Sequence, residues 1–300
     1  MKVIECEGLV KTYGSINALD RITFSIEENT ITGLIGRNGA GKTTLLKVIA
    51  GFWRETEGRV KVFERSPFNN LEVSMNSIFV DDMMSFTYTL NLKEVLTEAQ
   101  AFYPNWDAKL AEGLLEYFNF NPRLVHQSLS KGKRSTFNMI VGLAAKCPLT
   151  IFDEPTTGMD AAVRKDFYRA LLKDYLFSPR TIIISSHHLD EMEDILEDIL
   201  LVDEGKKVLQ LPVDEFKEYA VTLSGKTAIV MQILEDKDVI YKRNIDLDSC
   251  SVVVRNNFSH ESVKRLGINV SPVTPSDLCV YLTNQAKGGI DDVFNQSKSV

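Results

Sequence analysis

The stretch "ITGLIGRNGAGKTTLLKVIA" at residues 31–50 constrains this chain more than any other. It opens on a short apolar run that reads as a buried strand, passes through a glycine-rich turn, and continues in helical periodicity to Gly51, a helix C-cap. Within it, Gly36, Arg37, Asn38, Gly39, Ala40, Gly41, Lys42 and Thr43 fit the pattern Gly-x-x-x-x-Gly-Lys-Thr, with Thr44 next. A strand before and a helix after are the context this pattern requires. Glycines let backbone N–H groups curl around phosphate oxygens, and the helix N-terminus adds a positive dipole end. Lys42 can reach β- and γ-phosphates, and Thr43 can offer its hydroxyl to Mg²⁺. The segment predicts a nucleotide-binding α/β domain.

A second segment, "LTIFDEPTTGMD" at 149–160, supplies acid. An apolar strand that ends in Asp153 sets a carboxylate at the C-terminal edge of the sheet, where open α/β sheets bind ligands. Asp153 is the expected Mg²⁺ holder, directly or through water. Glu154 is the expected general base that polarises the attacking water. A third strand, "TIIISSHH" at 181–188, ends in two histidines. His187, first after the strand, is the expected sensor of the γ-phosphate.

The remaining composition narrows the partners. The chain has 300 residues, 44% of them apolar and 25% charged, with a net charge of -7. That acidity argues against general attraction to nucleic acid, although a local basic cluster can still bind phosphate. Cys6, Cys147, Cys250 and Cys279 lie far apart without Cys-x-x-Cys spacing, so reduced thiols in a cytosolic protein are expected and a zinc site is not. The opening "MKVIECEGLV" has no apolar leader core, and no apolar run reaches the ~18 residues of a membrane span. Any membrane role therefore comes through a partner.

Along the chain, "VIECEGLV", "RITFSI" and "RVKVF" read as strands near the nucleotide loop. Helices are expected near 91–103 and 107–119, separated by "YPNWD", and from about Lys133 to Ala145. Further helices are expected near 161–173 and at "HLDEMEDIL", with short strands at "ILLVD" and "KKVLQ". Strand and helix in alternation imply parallel pairing. Beyond about Leu211 the texture changes: "TAIVMQIL", "DVIYKRNI", "SVVVR" and "LCVYLT" read as short strands of a small α+β domain, with a frayed tail at 294–300.

Taken together, "GRNGAGKT", "LTIFDEP", "TGMD" and "SSH" resemble, in order and spacing over about residues 1–210, the ATP-binding subunits of ABC transporters. The resemblance implies a P-loop NTPase fold of the ABC ATPase type, with a mixed β-sheet core, a helical subdomain at about 83–147, and the C-terminal α+β domain at 211–300 as an accessory. It makes Glu154 the catalytic glutamate and His187 the switch histidine, and it assigns Asp160 to the D-loop. Tyr13, in "KTYG", matches the aromatic that stacks on adenine. "LSKGK" at 129–133 falls where the family carries Leu-Ser-Gly-Gly-Gln, so Ser130, Lys131 and Gly132 are implied to meet the γ-phosphate of ATP bound by the other subunit. Lys131 replaces a glycine, and it either adds charge attraction there or points to solvent. Asp82, in "DDMMSF", stands where the family has a glutamine. An acid there either reaches Mg²⁺ or water or weakens coupling to the membrane partner.

The implied activity is ATP hydrolysis with Mg²⁺. It powers a separate integral membrane permease from a cytoplasmic position at the inner face of the membrane, as a homodimer or an ABC heterodimer. "YPNWD" and the lysine-bearing signature are also similar to a bacterial subgroup of exporters encoded beside GntR-type regulators. The stretch from Met83 to Tyr88 reads either as part of the groove that grips the permease or as a core-facing loop. The rival is a soluble ABC-type ATPase acting on DNA or the ribosome, or an ATP-dependent switch. A single ATPase domain without a coiled-coil insertion, and the net acidity, argue against the DNA and ribosome class.

Overall fold

The computed structural model describes residues 1–234, 239–257, 263 and 265–283. The expected frayed tail at 294–300 lies outside the described residues. The chain divides into two compact units, Met1–Phe216 and Lys217–Val300.

The first unit holds two sheets. Strands β1 (Lys2–Tyr13), β2 (Ile16–Glu27) and β4 (Glu57–Val62) form an antiparallel sheet in the order β2-β1-β4. The second sheet contains β3 (Ile31–Ile35), β5 (Ser77–Val80), β6 (Leu149–Asp153), β7 (Thr181–Ser186), β8 (Asp198–Asp203) and β9 (Lys206–Pro212). Its order is β5-β6-β7-β3-β8-β9, parallel throughout except for the antiparallel β8-β9 hairpin. The sheet core is therefore mixed. Every residue of β3, β6 and β7 is buried, as the near-continuous apolar runs of parallel strands require.

Helix α1 (Lys42–Ile49) packs in the core through Leu45, Val48 and Ile49, against Ile4, Leu9 and Leu19 of the antiparallel sheet and Leu34 and Ile183 of the other. After the short α2 (Leu71–Met75) come α3 (Leu92–Phe102), α4 (Ala108–Tyr117) and α5 (Lys131–Ala144). Asn91 and Glu94 close a capping box on α3, and Asp107 caps α4. Helix α6 (Ala161–Phe177) follows β6.

One expected helix is corrected here. "HLDEMEDIL" forms two 3₁₀ turns, Leu189–Glu191 and Glu193–Ile195, instead of an α-helix. The buried Leu189, Met192 and Ile195 recur every third residue, which aligns them in a 3₁₀ turn but drifts around an α-helix.

In the second unit, β10 (Ala220–Lys226), β11 (Val239–Asn244), β12 (Ser249–Arg255) and β13 (Asn269–Pro272) form an antiparallel sheet in the order β11-β12-β10-β13. Its core joins Val221, Leu223, Cys250, Val252 and Val254 to Val230. Two expected strands are helices. "TAIVMQIL" gives a helix at Thr227–Gln232, whose Val230 is fully buried. "LCVYLT" belongs to the helix Pro275–Thr283. There the Thr274 hydroxyl accepts from the Asp277 backbone N–H at 3.1 Å and donates to the Asp277 carboxylate at 2.8 Å, with Pro275 in the first turn. Local capping overrides the β propensity of Val and Tyr.

Candidate nucleotide site

Sheet register brings the motifs together. Asp153 pairs with Ser185 across β6-β7, and Ile35 with Ser186 across β3-β7. The glycine loop after β3, the acids ending β6 and the histidines after β7 therefore emerge side by side at one C-terminal edge, where ligands of such sheets bind.

The loop is built for an anion. Gly41 caps α1 with φ 100°, and no side chain satisfies the first N–H groups of that helix. Gly39 also has positive φ, and a Cβ placed on it would meet open space. The Ala40 carbonyl accepts from Gly205 N–H at 3.0 Å, and Gly205 in turn accepts from Asp20 N–H at 2.7 Å, which braces the loop from behind. Arg37 and Asn38 are exposed beside it. The adjoining cleft, about 430 Å³, is lined among others by Asn17, Asn38, Lys42, Thr43, Thr44 and Glu154.

Lys42 is only 6% exposed, and its ammonium group is crowded with oxygen. It donates to the Gly36 carbonyl at 2.7 Å and the Arg37 carbonyl at 3.3 Å, and it meets Glu154 Oε1 at 3.1 Å. The other Glu154 oxygen lies 2.9 Å from His187 Nδ1. Glu154 has φ 48°, a left-handed conformation uncommon for a side-chain-bearing residue, and its N–H donates to Ser185 Oγ at 2.9 Å. Ser185 Oγ donates to Asp153 Oδ1 at 2.6 Å. One serine thus ties both acids to the neighbouring strand. Sequence reading missed Ser185; its signal was its place directly beside Asp153 in parallel register.

The structure divides the two aspartates after β5 differently from the expectation. Asp81 is the inward one, 14% exposed, 4.0 Å from Lys47 Nζ. Burial raises its pKa most; Lys47 opposes this and the charge of Asp153 adds to it. Asp82 is 41% exposed and turns to Lys131 Nζ at 3.3 Å. Strand β5 ends at Val80, so neither aspartate inherits its in-and-out alternation.

The other candidates separate. The Tyr13 ring is half-exposed, edge-on to Trp53 at 5.6 Å. Asp160 caps α6, accepting from Val163 N–H at 3.0 Å. Ser130 caps α5, accepting from Lys133 N–H at 3.4 Å. Lys133 folds back onto its own segment, donating to the Phe118 carbonyl at 2.7 Å and lying over the Phe120 ring. None of Ser130, Lys131 and Gly132 lines the cleft of its own chain. Among the described residues no group of three or more His, Cys, Asp or Glu is arranged to hold a metal. Thr43 lines the cleft beside the loop, and Asp153, 5% exposed, ends the adjoining strand β6. This sparse set fits a hard cation whose other positions are filled by phosphate oxygens and water.

A glycine loop, paired acids and a histidine on one edge of a parallel sheet define a P-loop NTPase. The family model described as ABC transporter matches residues 19–157. An uncharacterized ABC transporter ATP-binding protein, MJ1023 of Methanocaldococcus jannaschii, is 31% identical over 211 residues, 68% of this chain and 76% of its own length. The bacitracin transport ATP-binding protein BcrA of Bacillus licheniformis is 27% identical over 241 residues, 77% of this chain and 78% of its own. A solved ATP-binding subunit of an ABC transporter superposes with a TM-score of 0.65 at 22% identity, covering 72% of this chain and 92% of that one. The chain belongs to the ABC transporter ATP-binding proteins: it is the ATP-binding, ATP-hydrolysing subunit of a transporter.

Proposed function

We propose that two copies of this chain, or one copy and a related subunit, sandwich ATP and drive a separate membrane permease for export. The carrying observation is the ion pair of Lys42 with Glu154, itself held by His187, at the edge where Asp153 and the glycine loop meet. ATP phosphates give Lys42 a stronger partner than one carboxylate. Lys42 then leaves Glu154, and the freed carboxylate, steered by His187, accepts a proton from the attacking water. Thr43 and Asp153 would hold Mg²⁺, which when bound neutralises charge developing on the phosphate oxygens. Asp81, whose pKa the charge of Asp153 helps to raise, is a better candidate for sensing that cation than Asp82.

The Tyr13 ring offers its face to adenine. Ser130, Lys131 and Gly132 serve the other copy, because they stand outside their own cleft. Asp160 sets the start of α6 and with it the D-loop beside the signature. No helix among the described residues is long and apolar enough to cross a membrane. The permease supplies the span, and this subunit docks on it from the cytoplasm. Met84, Phe86, Leu90 and Phe102 line a groove of about 360 Å³ suited to an apolar permease segment. The unit Lys217–Val300 has its own core and serves as a dimer contact or regulatory module. Export follows from the resemblance to the Nod factor export ATP-binding protein I of Ralstonia nicotianae.

Glu154→Gln tests this reading. It keeps ATP binding and slows turnover, so an ATP-dependent dimer accumulates in sedimentation. Persistent monomer at saturating ATP overturns the sandwich.

A further inference from the structure

Lys131 occupies an unfavourable place. It is the first residue of a 14-residue helix whose first turn holds no acid, with Lys133 and Arg134 close behind. A cation at the positive end of a helix is disfavoured. Such a departure from local preference needs a compensating partner. The partner comes from across space: Asp82 Oδ2, 3.3 Å from Lys131 Nζ.

The stem of Lys131 has a second neighbour. A Cβ built on Gly158 would stand 3.2 Å from Lys131 Cγ, and one built on Gly132 would stand 2.3 Å from the Gly158 carbonyl. Signature backbone therefore packs directly on D-loop backbone, with Lys131 lying over the contact and its head on the loop after β5. One side chain thus bridges the signature to the D-loop and to the loop after β5. Both charged ends stay accessible, 54% exposed for Lys131 and 41% for Asp82, and an exposed pair of this kind is weak.

We propose that Asp82 is an electrostatic catch for Lys131. In the nucleotide-free chain the two pair in cis. When two copies close, Lys131 exchanges Asp82 for the terminal phosphate of ATP held by the other copy. Lys131 becomes a phosphate-binding residue, and Asp82 is a positioning residue that sets the ATP concentration at which closure occurs. The paired departures at 82 and 131 then have one cause. A carboxylate replaces an amide where a lysine replaces a glycine, and each needs the other before ATP arrives. The exchange rests on the sandwich reading above.

The test uses the full chain carrying Glu154→Gln, with the ATP concentration for half-maximal dimer measured by sedimentation. Asp82→Asn frees Lys131 and lowers that concentration by about 3-fold, as loss of an exposed pair allows. Lys131→Gln raises it by about 10-fold or more, and Lys131→Arg recovers most of the loss, as a charge-assisted phosphate contact requires. In the Lys131→Gln background, Asp82→Asn changes nothing. The Lys131→Gln penalty shrinks between ~50 mM and ~500 mM salt. An Asp82→Asn effect of equal size with and without Lys131, or a Lys131→Gln chain that closes like its parent, overturns the exchange. A parent that stays monomeric overturns the sandwich itself.

Discussion

The P-loop lysine of this subunit is held by Glu154, the acid proposed to activate water. Lys42 Nζ and Glu154 Oε1 pair at 3.1 Å, so neither charge stands alone, although no hydrogen bond reaches that oxygen. Ser185 is the hinge pin of that arrangement, donating to Asp153 and accepting from the Glu154 N–H. Ser185→Ala removes both contacts from a fully buried position and is expected to cost about 1–3 kcal/mol in urea unfolding, with slower phosphate release. The cysteines are expected to be chemically silent. All four are free and buried, and burial pushes the Cys147 and Cys279 thiols up to about 12. At pH 8 a thiol of that kind is roughly 10⁻⁴ thiolate, so thiol reagents label these two only after unfolding. Residues with a fixed motif spacing were legible at this scale: Lys42, Glu154 and His187 stand in contact, and Asp153 joins them through Ser185. Ser185 and Asp81 were not, because their roles depend on sheet register and on where β5 stops.

At the scale of elements, α5 joins the nucleotide edge to the helical segment. His126 and Asn138 are both buried, 2.8 Å apart, and the Asn138 amide donates to the Asp81 carbonyl at 3.1 Å. Burial holds the His126 pKa below its ordinary 6.5. The unfolded chain then takes up the proton first as pH falls. The stability this site contributes is full above about 6.5 and is lost as pH falls through the lowered folded value. His126→Gln should flatten that acid loss in thermal melts, whatever its effect at neutral pH. Two glycines make a paired test. Gly132→Ala drives a methyl into the Gly158 carbonyl and should lower stability by about 1–3 kcal/mol, as overpacking does. Gly113→Ala, in α4 with open space around it, should raise stability by about 0.5–1 kcal/mol. Long amphipathic helices and buried parallel strands were readable here, since their periodicity spans many residues. "HLDEMEDIL", "TAIVMQIL" and "LCVYLT" were misread because segments of six to nine residues carry too few turns to separate periods, and caps such as Thr274-Pro275 decide them.

At the scale of the whole molecule, each unit closes its own core, the first around α1 and the second around Leu223 and Val252. A chain ending after Glu218 should therefore fold and bind ATP within about 3-fold of the full chain, while its ATP-driven closure reports what the second unit adds. The nucleotide machinery was legible because it is written in contiguous motifs. The second unit carries no such motif, and its sheet order emerges only from long-range pairing of β10 with β12 and β13. The most direct measurement is single-turnover phosphate release by the full chain beside Glu154→Gln and Lys42→Ala. Glu154→Gln is expected to bind ATP normally and release phosphate about 10²-fold or more slowly, and Lys42→Ala to lose ATP affinity. A Glu154→Gln chain that hydrolyses ATP at the parent rate would contradict the general-base role of Glu154.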